Sequence, residues 1–327
     1  MPYYSGGMTV DTSSNMLQRS GGPSGTAFSA FMRAGMNMSG ILAEYSGHGG
    51  VFQHYQGLQL HGHRISLDMP LISRERFSLF AGFHGSLARY GDVTLLTGYE
   101  EYGGELRLRS YVTTSTLIRA WLVGGRRDYR EYDTESYDSI ELTARVDQFL
   151  PSGTTLRGEV STGLRRHYTI DNPPDVQQIT IKSRIAQSLG PQWGLWLEGH
   201  VRLAGDDAVT DTLVINERIF LDDSYKSGET GIEVGSRRVL PSGILCELTT
   251  GYDSRSYGTG TSSSFWYMPA GGWEETELSV FLTVRKPGWE LFSTVSPSFR
   301  VYYMSVDADA GDLSYKAVGT MLTFGIR

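Results

Sequence analysis

From about residue 26 onward, apolar and polar residues alternate with period two, the mark of β-strands that present two unlike faces. Ile140, Leu142, Ala144 and Val146 alternate with Glu141, Thr143, Arg145 and Asp147. Leu156, Val160 and Leu164 alternate with Arg157, Glu159 and Arg165. The same holds for Leu195, Leu197, Val201 and Leu203 against Glu198, His200 and Arg202. It holds again for Leu278, Val280, Leu282 and Val284 against Glu277, Ser279, Phe281, Thr283 and Arg285. Tight connections such as Pro151-Ser152-Gly153, Gly190-Pro191-Gln192 and Pro241-Ser242-Gly243 alternate with long polar ones near 41–55, 90–102, 127–137, 169–177, 206–227, 257–272 and 305–312. Pro and Gly in the tight set supply the preset or positive φ that short turns require. The punctuation predicts an all-β chain of about 14 strands. They span 26–38, 56–70, 76–89, 103–112, 116–127, 138–150, 154–168, 178–189, 193–204, 228–240, 244–256, 274–285, 289–304 and 313–326. An even number puts both chain ends on the side of the short turns.

Residues 1–25 are polar and rich in Gly and Ser, and read as a flexible leader or linker stub ahead of one domain over 26–327. Met1 is followed by neither a basic nor an apolar stretch, so no signal peptide is read: either the protein is cytosolic or Met1 heads a mature fragment, and the polar leader makes a removed upstream or periplasmic domain one expectation. Among 327 residues, 40 Gly and 19 Tyr fit many turns and strands. No apolar run approaches the roughly 20 residues of a membrane-spanning helix. The formal charge of −7 and the lack of a dense Lys/Arg block argue against a nucleic-acid partner. Cys246 is the one cysteine, which excludes an internal disulfide and a Cys-rich metal site.

Period alone does not say which face meets solvent. Most of the strands reach the roughly 9–11 residues that cross a bilayer, whereas soluble strands run to about 5–6. Trp193 and Trp289 follow short turns, while Tyr168, Tyr252 and Tyr303 lie near the long loops, each on the apolar parity of its strand. Such positions suit the aromatic girdles of the two membrane interfaces. The chain ends on a strand in which Gly319, Leu322 and Phe324 are spaced as Gly-x-x-Leu-x-Phe. Here the sequence resembles the bacterial outer-membrane β-barrel proteins, whose last strand carries such an assembly signal. The family usually ends on the aromatic; this chain adds Gly325-Ile326-Arg327, and Ala317 stands where a polar residue is expected. The resemblance implies a single transmembrane antiparallel up-and-down barrel with short periplasmic turns and long extracellular loops, integral to the outer membrane of a Gram-negative bacterium. Its partners would be outer-membrane lipid, lipopolysaccharide and the barrel-assembly machinery.

With the apolar parity outside, the inward face is charged. From the fourth to eighth expected strands come Glu105, Arg107, Arg109, Arg119, Glu141, Arg145, Asp147, Arg157, Glu159, Arg165, Lys182 and Arg184. From the ninth to twelfth come Glu198, His200, Arg202, Glu229, Glu233, Arg237, Glu247, Asp253, Arg255, Glu275, Glu277 and Arg285. The first set is mainly cationic and the second mainly anionic, which predicts a basic wall facing a more acidic one across a wet lumen. This resembles the constriction of general porins and implies passive diffusion of small polar or charged solutes. The alternative is the membrane anchor of a larger export or surface-assembly protein. Cross-strand Arg–Glu pairing that only stiffens the wall is the plainer account of the same charges.

His48, His54, His61 and His63 cluster, and His61 with His63 has an i, i+2 spacing that suits Zn²⁺ or Cu²⁺; no acid or Cys joins them at ligand spacing, so no metal is expected. Asp307 to Asp312 departs from the order of a Ca²⁺ loop. There is no nucleophile elbow, phosphate loop, zincin or dinucleotide motif. His84, Ser86 and His167 could form a chance catalytic set, but the expectation is no enzyme and no cofactor.

Overall fold

The computed structural model describes residues 2–13, 25–38, 40–52, 55–90, 98–129, 136–167, 175–204, 226–257, 273–286, 295–309 and 314–326. They form one closed antiparallel β-barrel of 16 strands. In chain order these are β1 (Pro2–Ser13), β2 (Gly25–Met38), β3 (Ile41–Phe52), β4 (Tyr55–Ser73), β5 (Phe77–Tyr90), β6 (Tyr99–Tyr111), β7 (Thr116–Tyr129) and β8 (Tyr137–Phe149). The circuit continues with β9 (Thr154–His167), β10 (Asp175–Ser188), β11 (Trp193–Ala204), β12 (Lys226–Val239), β13 (Leu245–Tyr257), β14 (Trp273–Arg285), β15 (Val295–Ala308) and β16 (Tyr315–Ile326). Each strand pairs with its neighbours in sequence, and β1 closes the circle against β16. Strand lengths of 12 to 19 residues all exceed what a bilayer crossing needs.

The sixteen strands correct the expected fourteen. Both additions fall where alternation is weak. Pro2–Ser13, read from sequence as part of a flexible leader, pairs along its length with β2 and with the last strand. Ile41–Phe52, read as a polar loop, pairs with β2 and β4. Its positions on the apolar parity include Gly47 and Gly49, so no greasy stripe marks it.

Connections 39–40, 74–76, 112–115, 150–153, 189–192 and 240–244 lie at the end of the barrel that also holds both ends of the described chain. The matching stretches Leu150-Pro151-Ser152-Gly153 and Leu240-Pro241-Ser242-Gly243 build the same turn twice. Gly153 N donates to Leu150 O at 3.1 Å and Gly243 N to Leu240 O at 2.8 Å, with φ of 78° and 77°. Any side chain at those φ values would be strained.

On a closed barrel, side chains on the concave side converge and those on the convex side splay apart. The burial follows. Leu142, Leu197 and Leu282 are 48%, 43% and 42% exposed, whereas Asp147 is 1% exposed. A convex row runs Ala120, Ala144, Val160, Ile181 and Val201 across five strands. The greasy parity therefore faces outward. That is the reverse of a soluble sandwich, in which the apolar faces meet.

The closing seam is stitched by side chains. Thr9 and Thr323 hydroxyls meet at 3.2 Å and Thr12 and Thr320 hydroxyls at 2.8 Å. Tyr302 of β15 lies across Gly319 of β16, and its hydroxyl donates to Asp11 Oδ1 of β1 at 3.0 Å. A Cβ on Gly319 would overlap the Tyr302 ring and press on Thr12 O at 2.5 Å. Gly319→Val is therefore expected to destabilise the barrel by about 1–3 kcal/mol through overpacking, against about 1 kcal/mol for Tyr302→Phe. The temperature at which the folded gel band converts to the unfolded one reads both, and equal loss in the two variants would refute the packing role.

Candidate functional site

Sixteen strands about 4.8 Å apart and tilted about 40° enclose a backbone cylinder roughly 32 Å across, a size at which side chains leave an aqueous channel. Register fixes what lines it. One concave row runs Arg109, Arg119, Arg145, Glu159, Lys182, His200, Gly231, Asp253 and Glu277 across β6 to β14. The next runs Leu117, Asp147, Arg157, Arg184, Glu198 and Glu233. Arg107, Glu141, Arg165, Arg202, Arg237, Glu247 and Arg285 share this parity. All the charged residues expected on the inward face thus fall on one side of the sheet.

The charges gather into three groups. In the first, the Asp147 carboxylate accepts from Arg145 Nε at 3.0 Å and Arg157 Nε at 2.8 Å, with Arg119 Nη2 at 3.8 Å. One buried acid thus holds three guanidiniums side by side, leaving that patch cationic.

The second group lies toward the opposite end from the tight turns. Arg127 Nε and Nη2 both donate to Glu101 Oε2, at 2.8 and 2.6 Å, and the guanidinium stands 4.2 Å from the Tyr99 ring centroid. His84 Nε2 is 3.4 Å from the other oxygen of Glu101, and Arg165 stacks on Tyr137 at 5.0 Å. Glu101 and Arg127 are missing from the inward set read from sequence because both fell on the expected loop boundaries. Their parity, shared with Arg107 and Arg119, was the available signal.

The third group is acidic. Arg255 is met by Glu277 at 2.6 Å, Glu229 at 2.9 Å, Glu275 at 3.2 Å and Asp253 at 3.6 Å. Nearby, Trp196 Nε1 donates to Glu233 Oε1 at 2.9 Å while its indole covers Gly235, and Arg184 stacks on its ring at 5.1 Å.

The expected arrangement of a basic wall opposite an acidic one needs correction. The cationic sector β6–β10 and the anionic sector β11–β14 are adjacent in the circuit, their centres about a quarter turn apart. Strand β16 stands opposite the middle of the basic sector. The field therefore runs along the wall from one sector to the next.

Of the aromatics expected in the girdles, Trp193 is convex, exposed and beside a tight turn, with Arg238 at 5.6 Å from its ring. Tyr252 and Tyr303 are convex in the half nearer the long connections. Tyr168 and Trp289 lie outside the described residues. In the last strand, Leu322 and Phe324 of the expected assembly signal point outward and Gly319 inward beneath Tyr302. His61 and His63 are convex, where His63 Nδ1 meets the Tyr45 hydroxyl at 2.7 Å. His54 lies outside the described residues, as does the His167 side chain. His84 and Ser86 face the interior, away from any lipid edge.

The outward apolar belt and inward charge define the architecture of a transmembrane β-barrel. The fold is that of the outer membrane protein OprD from Pseudomonas aeruginosa, at TM-score 0.58 and 11% identity, with 99% of this chain and 93% of that one covered. Similar too are Pseudomonas aeruginosa OccD3 (OpdP), at TM-score 0.56, 10% identity and 99% and 91% coverage, and OpdK, at 0.56, 11% and 99% of each chain. No protein-family model matches the sequence, and no curated protein does.

Proposed function

We propose that the protein is an outer-membrane, porin-like channel through which small polar or charged solutes diffuse passively. The observation that carries this reading is the concave row across nine strands, ionisable at every position but Gly231, inside a barrel wide enough to hold water. An apolar cargo would find no continuous greasy path there. Ions and small hydrophilic molecules would meet fixed charges of both signs that replace part of their hydration. The likeness to OprD, OccD3 and OpdK supports the barrel as a channel rather than an enzyme scaffold. The greasy belt suits the lipid of the membrane, and the charged sectors give the interior its selectivity. Refolded protein added to a planar lipid bilayer is expected to give stepwise increases in ion current. Folded barrel that inserts without any current would refute an open channel.

A further inference from the structure

We propose that His200, Glu229 and Asp253 form a binding site for a divalent first-row transition metal on the concave wall, with Zn²⁺ the ion that suits the donors. The three side chains come from three adjacent strands, β11, β12 and β13. His200 Nε2 lies 3.4 Å from Asp253 Oδ1 and 3.9 Å from Glu229 Oε1. All three donor atoms fall within 4.8 Å of one another. Tetrahedral zinc with ligands at about 2.0–2.2 Å separates neighbouring donors by roughly 3.4 Å. The triangle in the protein needs only small side-chain adjustments to reach that spacing.

Gly231 is what lets the donors converge. It stands between His200 and Asp253 in register, and a Cβ there would overlap both the imidazole and the Asp253 carboxylate. Local charge also favours a cation. Glu229, Asp253, Glu275 and Glu277 surround Arg255, while Arg202 is the register partner of Glu229 and Lys182 that of His200. If Glu229 and Asp253 turned to a metal, Arg255 would keep Glu275 at 3.2 Å and Glu277 at 2.6 Å. One imidazole among carboxylates selects zinc and its neighbours over Ca²⁺ and Mg²⁺, which take oxygen ligands. Three protein ligands leave a coordination position open to the interior.

The test is calorimetric titration of the refolded 327-residue chain in detergent with ZnCl₂, together with the visible spectrum on adding Co²⁺. The expected result is one ion per chain and a Co²⁺ d–d band, unchanged by excess Ca²⁺. His200→Gln and Asp253→Asn should each weaken binding by about tenfold or more, since even outer-shell partners of a metal are worth on the order of 10–100-fold. The double variant His61→Ala/His63→Ala should bind as wild type. Folded gel mobility of each variant keeps binding loss distinct from misfolding, and the two separate ligand variants guard against one failing to fold. No stoichiometric binding, undiminished binding in both ligand variants, or loss confined to the His61/His63 variant would each overturn the site. Binding in detergent does not depend on conduction, so this result stands apart from the bilayer test.

Discussion

Asp147→Ala is expected to cost the barrel roughly 3 kcal/mol of stability, the lower end of what breaking a buried ion pair costs. The carboxylate is almost wholly buried and accepts from Arg145 at 3.0 Å and Arg157 at 2.8 Å, with Arg119 at 3.8 Å. Without it, three guanidiniums crowd one another with no counter-charge on that patch. Arg119 and Arg157 are about one-third exposed, at 33% and 32%, so water relieves part of the repulsion, and the full range is not reached. Asp147→Asn keeps an acceptor but no charge and should recover only part of the loss. Urea unfolding in lipid vesicles, followed by tryptophan fluorescence, measures both. An Asp147→Ala midpoint equal to wild type would mean that the three arginines hold their places without the acid.

The second large effect is on ion selectivity. Replacing Arg109, Arg119 and Arg184 by Gln should move the chloride-to-potassium permeability ratio toward potassium by about threefold in dilute KCl. Asp147 would still be held by Arg145 and Arg157, so the wall should keep its shape. A unit charge acts on a permeating ion 8 Å away with about 0.5 kcal/mol in water. Screening over about 10 Å at 0.1 M reduces this, and three charges together restore a several-tenths shift in ratio on a logarithmic scale. Near 1 M salt, where the screening length is about 3 Å, the effect should nearly vanish. Reversal potentials under a KCl gradient read it directly. An unmoved reversal potential in dilute salt would leave these residues as wall stiffeners with no part in selectivity.

The two faces of the wall were legible from sequence because most strands carry their own evidence. Leu142 beside Arg145, or Leu197 beside Glu198, assigns a parity that pairing can only preserve. The strand count was not legible, since β1 puts Gly6 and Thr12, and β3 puts Gly47 and Gly49, where other strands put Leu or Val. Gly6 and Gly7, or Gly47 and Gly49, give no periodic signal, and only pairing with β2, β4 and β16 makes strands of those segments. Clusters depend on register between strands. His200, Glu229 and Asp253 are far apart in sequence, and the connection 205–225 between the first two carries no periodicity from which their alignment could be read. The contact of Tyr302 with Asp11 joins residues 291 positions apart, and no local pattern announces it.

That last pairing bears on how the cylinder is made. Thr9 and Thr323, which meet face to face, are separated by 314 positions, so one half of their union leaves the ribosome long before the other. Every other strand joins a neighbour already close along the polypeptide, a cheap local zipper; this one must gather the whole molecule into a ring. Until it does, two unsatisfied ladders stand open to stray β-segments, which makes ring closure the moment of greatest exposure to aggregation.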